Sequence, residues 1–131
     1  MPFVNIKVAG PNLDHDQVRH LQHGATTLMA EVLRKKAELT AVLVEQVSAT
    51  AWTVGSKPVD AAAHLDVKVT EGTNTTAEKE RFIAEAMKLL RSVLGADLNP
   101  VTYVVIHEVP ADAWGWDGLT QAHRAHMAKA A

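Results

Sequence analysis

Val4-Asn5-Ile6-Lys7-Val8 alternates apolar and polar side chains, and Leu65-Asp66-Val67-Lys68-Val69 does the same 61 residues later, counted from Val4 to Leu65. Alternation with a period of two predicts strands with one face buried. The segment after each strand also repeats. After the first, Gly10-Pro11-Asn12 breaks the chain, and Asp14 and Gln17 have the spacing of a capping box. Val18, Leu21, Ala25, Leu28, Met29 and Val32 then recur at helical spacing. Ala41-Val42-Leu43-Val44-Glu45-Gln46-Val47 predicts another strand, and a loop carries Trp52-Thr53-Val54-Gly55. After the second, Gly72 breaks the chain and Thr75 with Glu78 forms a capping box. Ile83, Ala86, Leu90 and Val93 mark a helical face, with Gly95 as the stop. Pro100 precedes the strand Val101-Thr102-Tyr103-Val104-Val105-Ile106, and a loop carries Trp114-Gly115-Trp116-Asp117-Gly118. The offset holds at the landmarks: Gly10 to Gly72 is 62, and Trp52 to Trp114 is 62.

One β-α-β unit is therefore written twice, which predicts an α/β (α+β) fold. Residues 1–131 read as a single domain, with repeats over about 2–56 and 62–118, a connector over 55–63 and a loose helical tail over 119–131. A helical crossover makes the strands it joins parallel and right-handed. Two units predict a four-stranded sheet with two helices on one face. The other face is open, and if apolar it must be covered by other subunits.

The composition narrows the function. With 131 residues the chain is long enough for a real core, and 47% apolar residues are too many for a disordered segment. No apolar run approaches the length of a membrane span. Thirteen basic against fifteen acidic residues leave no electrostatic footprint for nucleic acid. The absence of cysteine excludes disulfides, thiolate catalysis and zinc–thiolate sites. Met1-Pro2-Phe3-Val4-Asn5 has neither the basic nor the apolar region of a secretory signal, so a cytoplasmic location is expected.

Pro2 is the residue of most chemical interest. Removal of Met1 would leave it as a free secondary amine, able to act as base or nucleophile. An α-amino group titrates near about 8, and apolar burial lowers that value by disfavouring the cation. A base poised near neutrality suits proton abstraction beside a carbonyl. A Met-Pro start is common by itself. Here it opens the first strand of a repeat, and the second copy has Ala62-Ala63 in its place. His20 with His23, and His123 with His126, have a spacing that can hold a metal, but nothing completes either pair, so they read as solvated helix faces. No cofactor or metal is expected. Gly10-Pro11-Asn12 and Glu71-Gly72-Thr73 are single-glycine turns, too poor for a phosphate loop. Trp52, Trp114 and Trp116 fit packing or a subunit interface, and equally an apolar wall around a small pocket.

Pro2 at the start of a strand, the doubled unit, and the Trp-Gly-Trp-Asp-Gly loop after Ile106-His107-Glu108-Val109-Pro110 resemble the tautomerase superfamily. The doubled unit looks like a fused 4-oxalocrotonate tautomerase, an architecture also found in macrophage migration inhibitory factor. The resemblance implies a homotrimer whose sheets form a central barrel, with no nucleic-acid or membrane partner. It also implies Pro2 as the catalytic group. Position by position, it points to Thr70 and Thr73 in the turn after the third strand, Tyr103 in the fourth strand, and Trp114 and Trp116 in the loop as substrate-binding residues. The sequence departs from the family at Asn12 and Leu43, where arginines stand that grip carboxylates. Lys7 and Lys68 alternate with the buried positions and have no assigned role. An apolar pocket of this kind suits an aryl-pyruvate-like acid better than a small diacid.

The resulting expectation is enol–keto tautomerisation of a small carbonyl acid, with Pro2 as general base and Tyr103 on the carbonyl oxygen. The alternatives are a proline-dependent hydratase, dehalogenase or decarboxylase of a three-carbon acid, and a tautomerase-like binding protein without catalysis.

Overall fold

The computed structural model describes residues 2–130. Its first half runs β1 (Phe3–Ala9), α1 (His15–Glu31) and β2 (Ala41–Val47), then a hairpin of β3 (Thr53–Val54) and β4 (Lys57–Pro58). The second half repeats the order with β5 (Ala62–Thr70), α2 (Thr76–Leu94), β6 (Tyr103–Val109), β7 (Gly115–Trp116) and β8 (Leu119–Thr120), and closes with α3 (Gln121–Ala130). The sheet order is β2-β1-β5-β6. The pairs joined by a helix, β1 with β2 and β5 with β6, are parallel, while β1 and β5 meet antiparallel at the centre. β5 begins at Ala62, inside the expected connector, because Ala62 and Ala63 pair with Ala9 and Val8. Leu119 and Thr120, expected in the tail, form the second strand of a hairpin instead.

The alternation seen in the sequence decides which face is buried. Val4, Ile6 and Val8 of β1 and Leu65, Val67 and Val69 of β5 are buried beneath the helices. Leu21, Ala25 and Met29 of α1 meet them there. On α2 the buried stripe is Phe82, Ala86, Leu90 and Leu94. The expected face started from Ile83, but Ile83 is 42% exposed and Val93 only packs at the margin. Four-residue steps from Phe82 keep one line of side chains over the sheet, and the larger aromatic ring takes the core.

The open face is mixed rather than apolar. Phe3, Leu43, Val47 and Tyr103 are exposed on it, alongside the polar Asn5, Lys7, His64, Asp66, Lys68 and His107. Asp66 sits in the middle, 13% exposed, with His64 Nε2 at 3.3 Å, Lys68 Nζ at 3.8 Å and His107 Nε2 at 3.9 Å.

Both helices start in complete capping boxes, Asp14 with Gln17 and Thr75 with Glu78. Glu78 has a second task. After α1 the chain turns through Arg34, which adopts a left-handed φ of 59°. Arg34 Nε donates to Glu78 Oε2 at 2.6 Å, its Nη2 donates to the Thr73 carbonyl at 3.1 Å, and Asn74 Nδ2 donates to the Leu33 carbonyl at 2.9 Å. The end of one helix is thus tied to the start of the other. The guanidinium of Arg34, followed by the Thr75 backbone amide, holds the Glu78 carboxyl down at about 2 against an ordinary 4.5.

With Phe82 in the core and Ile83 at the surface, Phe82→Ala should lower stability in urea unfolding by about 3–5 kcal/mol, and Ile83→Ala by no more than about 0.5 kcal/mol. A carboxyl whose folded pKa is depressed stabilises above its ordinary pKa, and that contribution is lost as pH falls through the folded value. The melting-temperature gap between the parent and Glu78→Gln should therefore be widest above pH 4.5 and close as the pH approaches about 2.

Candidate active site

The central antiparallel pairing brings four strand ends to one edge of the sheet. Phe3, the first residue of β1, lies opposite Ala41 at the start of β2 and Lys68 near the end of β5, and Thr70 at the end of β5 pairs with Val109 at the end of β6. Pro2 precedes β1 at this edge. It is buried, and its carbonyl accepts from the Ala41 N–H at 3.2 Å, so the start of the chain is part of the sheet's bonding. Beside it opens a cavity of about 530 Å³. Pro2, Phe3, Leu39, Trp114 and Trp116 supply its apolar lining, and Glu38 and Lys68 its charges.

The two tryptophans are held from several sides. The loop after β6 folds into the β7–β8 hairpin, whose two-residue turn places Asp117 at φ 48° and Gly118 at φ 78°, as a tight hairpin of this hand requires. Gly115 lies so close to the other strand that a Cβ would overlap the Leu119 carbonyl oxygen. Trp114 donates its Nε1–H to Thr70 Oγ1 at 3.2 Å, and its carbonyl accepts from the Gln121 N–H at 3.0 Å. Arg124 of α3 lies over the Trp116 ring, with Cζ 3.7 Å from the ring centroid, and donates from Nη2 to the Trp116 carbonyl at 2.9 Å. The C-terminal helix is thus anchored at its start and braces the cavity wall.

Of the residues singled out in the sequence, Pro2, Trp114 and Trp116 come together at this cavity. Thr70 and Thr73 do not line it. Thr70 carries the Trp114 hydrogen bond, and Thr73 Oγ1 donates to the Thr70 carbonyl at 2.6 Å while accepting from Lys35 Nζ at 2.7 Å. Tyr103 stands at the opposite edge of the sheet, beside His64 and 67% exposed. It is four residues from His107, the partner of Lys68, so about 13 Å along β6 separates it from the Pro2 edge, at roughly 3.3 Å per residue.

Glu38, Leu39 and Lys68 are cavity residues that no sequence pattern marks. Glu38 and Leu39 belong to a short 3₁₀ turn, Ala37–Leu39, immediately before β2. Parallel pairing of β1 with β2 sets that turn beside Pro2, and the antiparallel register of Phe3 with Lys68 brings in the lysine. Alternation alone places Lys68 on the open face but not at this edge.

The second repeat's counterpart of the cavity is filled. Trp52, which holds the position equivalent to Trp114, packs with Val54 against Ala9, Val59 and Ala62 at the end of β1 and the start of β5. His20, His23, His123 and His126 are exposed, and among the described residues no group of three or more His, Cys, Asp or Glu side chains is placed to hold a metal ion. No helix of the described residues is long and apolar enough to cross a membrane.

The family model described as tautomerase enzyme matches the chain twice, over residues 2–62 and 64–124. A probable tautomerase K2 from Dickeya dadantii (strain 3937) is 32% identical over 59 residues, which cover 45% of this chain and 88% of that protein. Among solved structures, a wild-type fused 4-OT described as a symmetric trimer superposes with a TM-score of 0.80 at 16% identity, covering 93% of this chain and 98% of its own. A macrophage migration inhibitory factor-like protein from Entamoeba histolytica superposes with a TM-score of 0.76 at 22% identity, covering 91% and 97%. Two successive matches that together span most of the described residues, on a tandem β-α-β fold shared with these structures, establish that the chain belongs to the tautomerase family.

Proposed function

We propose that the protein interconverts enol and keto forms of a small carbonyl acid of the aryl-pyruvate type, with the Pro2 amine as general base. The observation that carries this reading is the burial of Pro2 at the mouth of an apolar cavity walled by Trp114 and Trp116. Such a setting penalises the ammonium form of a terminal amine; of the two charges lining the cavity, Lys68 acts in the same direction and Glu38 against it. A neutral Pro2 nitrogen takes the proton from the enol hydroxyl or the α-carbon and returns it to the other position. The tryptophans hold the aryl group and keep water out, while Lys68 offsets negative charge developing on the substrate oxygen. Thr70 acts through Trp114, and Thr73 through the turn that carries Lys35.

Tyr103 stands too far from Pro2 of its own chain to share a substrate with it. Its place in this reading is at the Pro2 cavity of a neighbouring copy. We take the assembly to be a homotrimer of single-domain, two-repeat chains, in which the open sheet faces and their Asp66 clusters turn inward. The trimeric state of the structurally similar fused 4-OT supports this.

Intact-mass measurement should show Met1 removed, since an acylated Pro2 nitrogen is no base. Pro2→Ala should lower kcat/KM for phenylpyruvate tautomerisation by at least about 100-fold, within the range of general-base contributions. An unchanged rate would overturn the mechanism. A base must be deprotonated, so kcat/KM should fall as the pH drops below the amine's pKa and level off above it. The opposite limb would indicate a proton-donating proline and hence a hydration or decarboxylation reaction.

A further inference from the structure

We propose that the cation-lined recess adjoining the Pro2 cavity at Leu39 and Trp116 is an anion subsite of that cavity, which takes a carboxylate borne by the substrate at the end remote from its reacting carbonyl. This rests on the substrate-binding reading of that cavity. The recess has a volume of about 460 Å³ and shares Leu39 and Trp116 with the Pro2 cavity as common walls. Arg34, Lys35, Lys36 and Arg124 line it, and no carboxylate does. The Pro2 cavity, by contrast, includes Glu38. An aryl pyruvate that bears a second carboxylate on its ring is therefore oriented, with that carboxylate drawn towards the recess and away from Glu38.

The four cations differ in availability. Arg34 is committed to Glu78, and Lys35 donates to Thr73. Burial, followed by the Arg34 charge, pulls the Lys35 ammonium below its usual range. Lys36 is exposed and forms no ion pair among the described residues. Arg124 gives one Nη2 bond to the Trp116 carbonyl, and its Nε is buried without a hydrogen-bond partner. That Nε is closed to the recess, so an incoming oxyanion is met by the other donors of this guanidinium. The stacked ring fixes the guanidinium plane, so little side-chain freedom remains to be lost on binding. Lys36 and Arg124 thus occupy the role that the sequence leaves vacant at Asn12 and Leu43, from a different part of the fold. Lys36 comes from the segment before β2 and Arg124 from the C-terminal helix.

The test is binding by calorimetry, with 4-phenylbutanoate and its primary amide as probes on the full chain. The two match in size, and neither carries a carbonyl that the proposed reaction turns over. The acid should bind at least about tenfold more tightly than the amide, the change expected of one charge-assisted hydrogen bond. That ratio should fall below about threefold in both Lys36→Gln and Arg124→Gln, and remain in the helix-surface control Lys88→Gln. The ratio is informative even if Arg124→Gln loosens Trp116, because both probes then weaken together, and the exposed Lys36 gives a variant with an undisturbed fold. Equal binding of acid and amide, or a retained ratio in either variant, overturns the proposal. No turnover is involved. Full activity in Pro2→Ala would therefore overturn the proline mechanism and leave the subsite standing, whereas a missing ratio with Pro2-dependent activity would remove the subsite alone.

Discussion

The antiparallel pairing of β1 with β5 is the constraint on which the rest of the structure depends. Each β-α-β unit alone has only a two-stranded sheet under one helix, too little to bury its apolar face. Joined at the seam, the two units place Val4, Ile6 and Val8 beside Val67, Leu65 and Ala63, and both helices close over one continuous core. The same pairing decides which strand ends meet. Because β1 runs against β5, the start of the chain adjoins the end of the third long strand, and the loop that leaves β6 emerges beside Pro2. The cavity is a product of direction and register as much as of residue type.

Much of this was legible in the sequence, and the limits reflect what periodicity encodes. A period of two marks the buried face of β1 and β5, and the capping pairs Asp14–Gln17 and Thr75–Glu78 mark the helix starts, because each pattern is local. The prominence of Pro2, Trp114 and Trp116 was visible from their positions within the repeat. The phase of α2 was not. Phe82 and Ile83 are adjacent and both apolar, so only contact with the sheet shows which one faces it. Lys68 and Glu38 were hidden for a stronger reason: their closeness to Pro2 depends on strand pairing between segments about 30 or more residues apart, which no local window contains. Tyr103 carries the same lesson in reverse, since its similarity to a family position does not reveal that strand direction sets it at the edge opposite Pro2.

Electrostatics and packing divide the labour around the cavity. The apolar walls set the solvent environment of Pro2, while the Arg34–Glu78–Thr73–Lys35 network fixes the segment from which Lys36 and Leu39 project. Glu78 closes the capping box of α2 and receives Arg34 at the same time, so one carboxylate joins the end of the first helix to the start of the second. The cost of placing Arg34 in a left-handed conformation is offset by this network.

Trp52 gives the duplicated chain a stoichiometry. A repeat copied without change would carry two equivalent sites, but the second repeat starts with Ala62-Ala63 in place of a proline, and there Trp52 packs against Ala9, Val59 and Ala62. If Pro2 is the reacting group, each chain bears one reactive centre rather than two. A reagent selective for that amine is then consumed at one equivalent per chain. The second half carries no proline at its own start and instead lends Lys68, Trp114 and Trp116 to the cavity that opens on the first, so the two halves are unequal parts of one site.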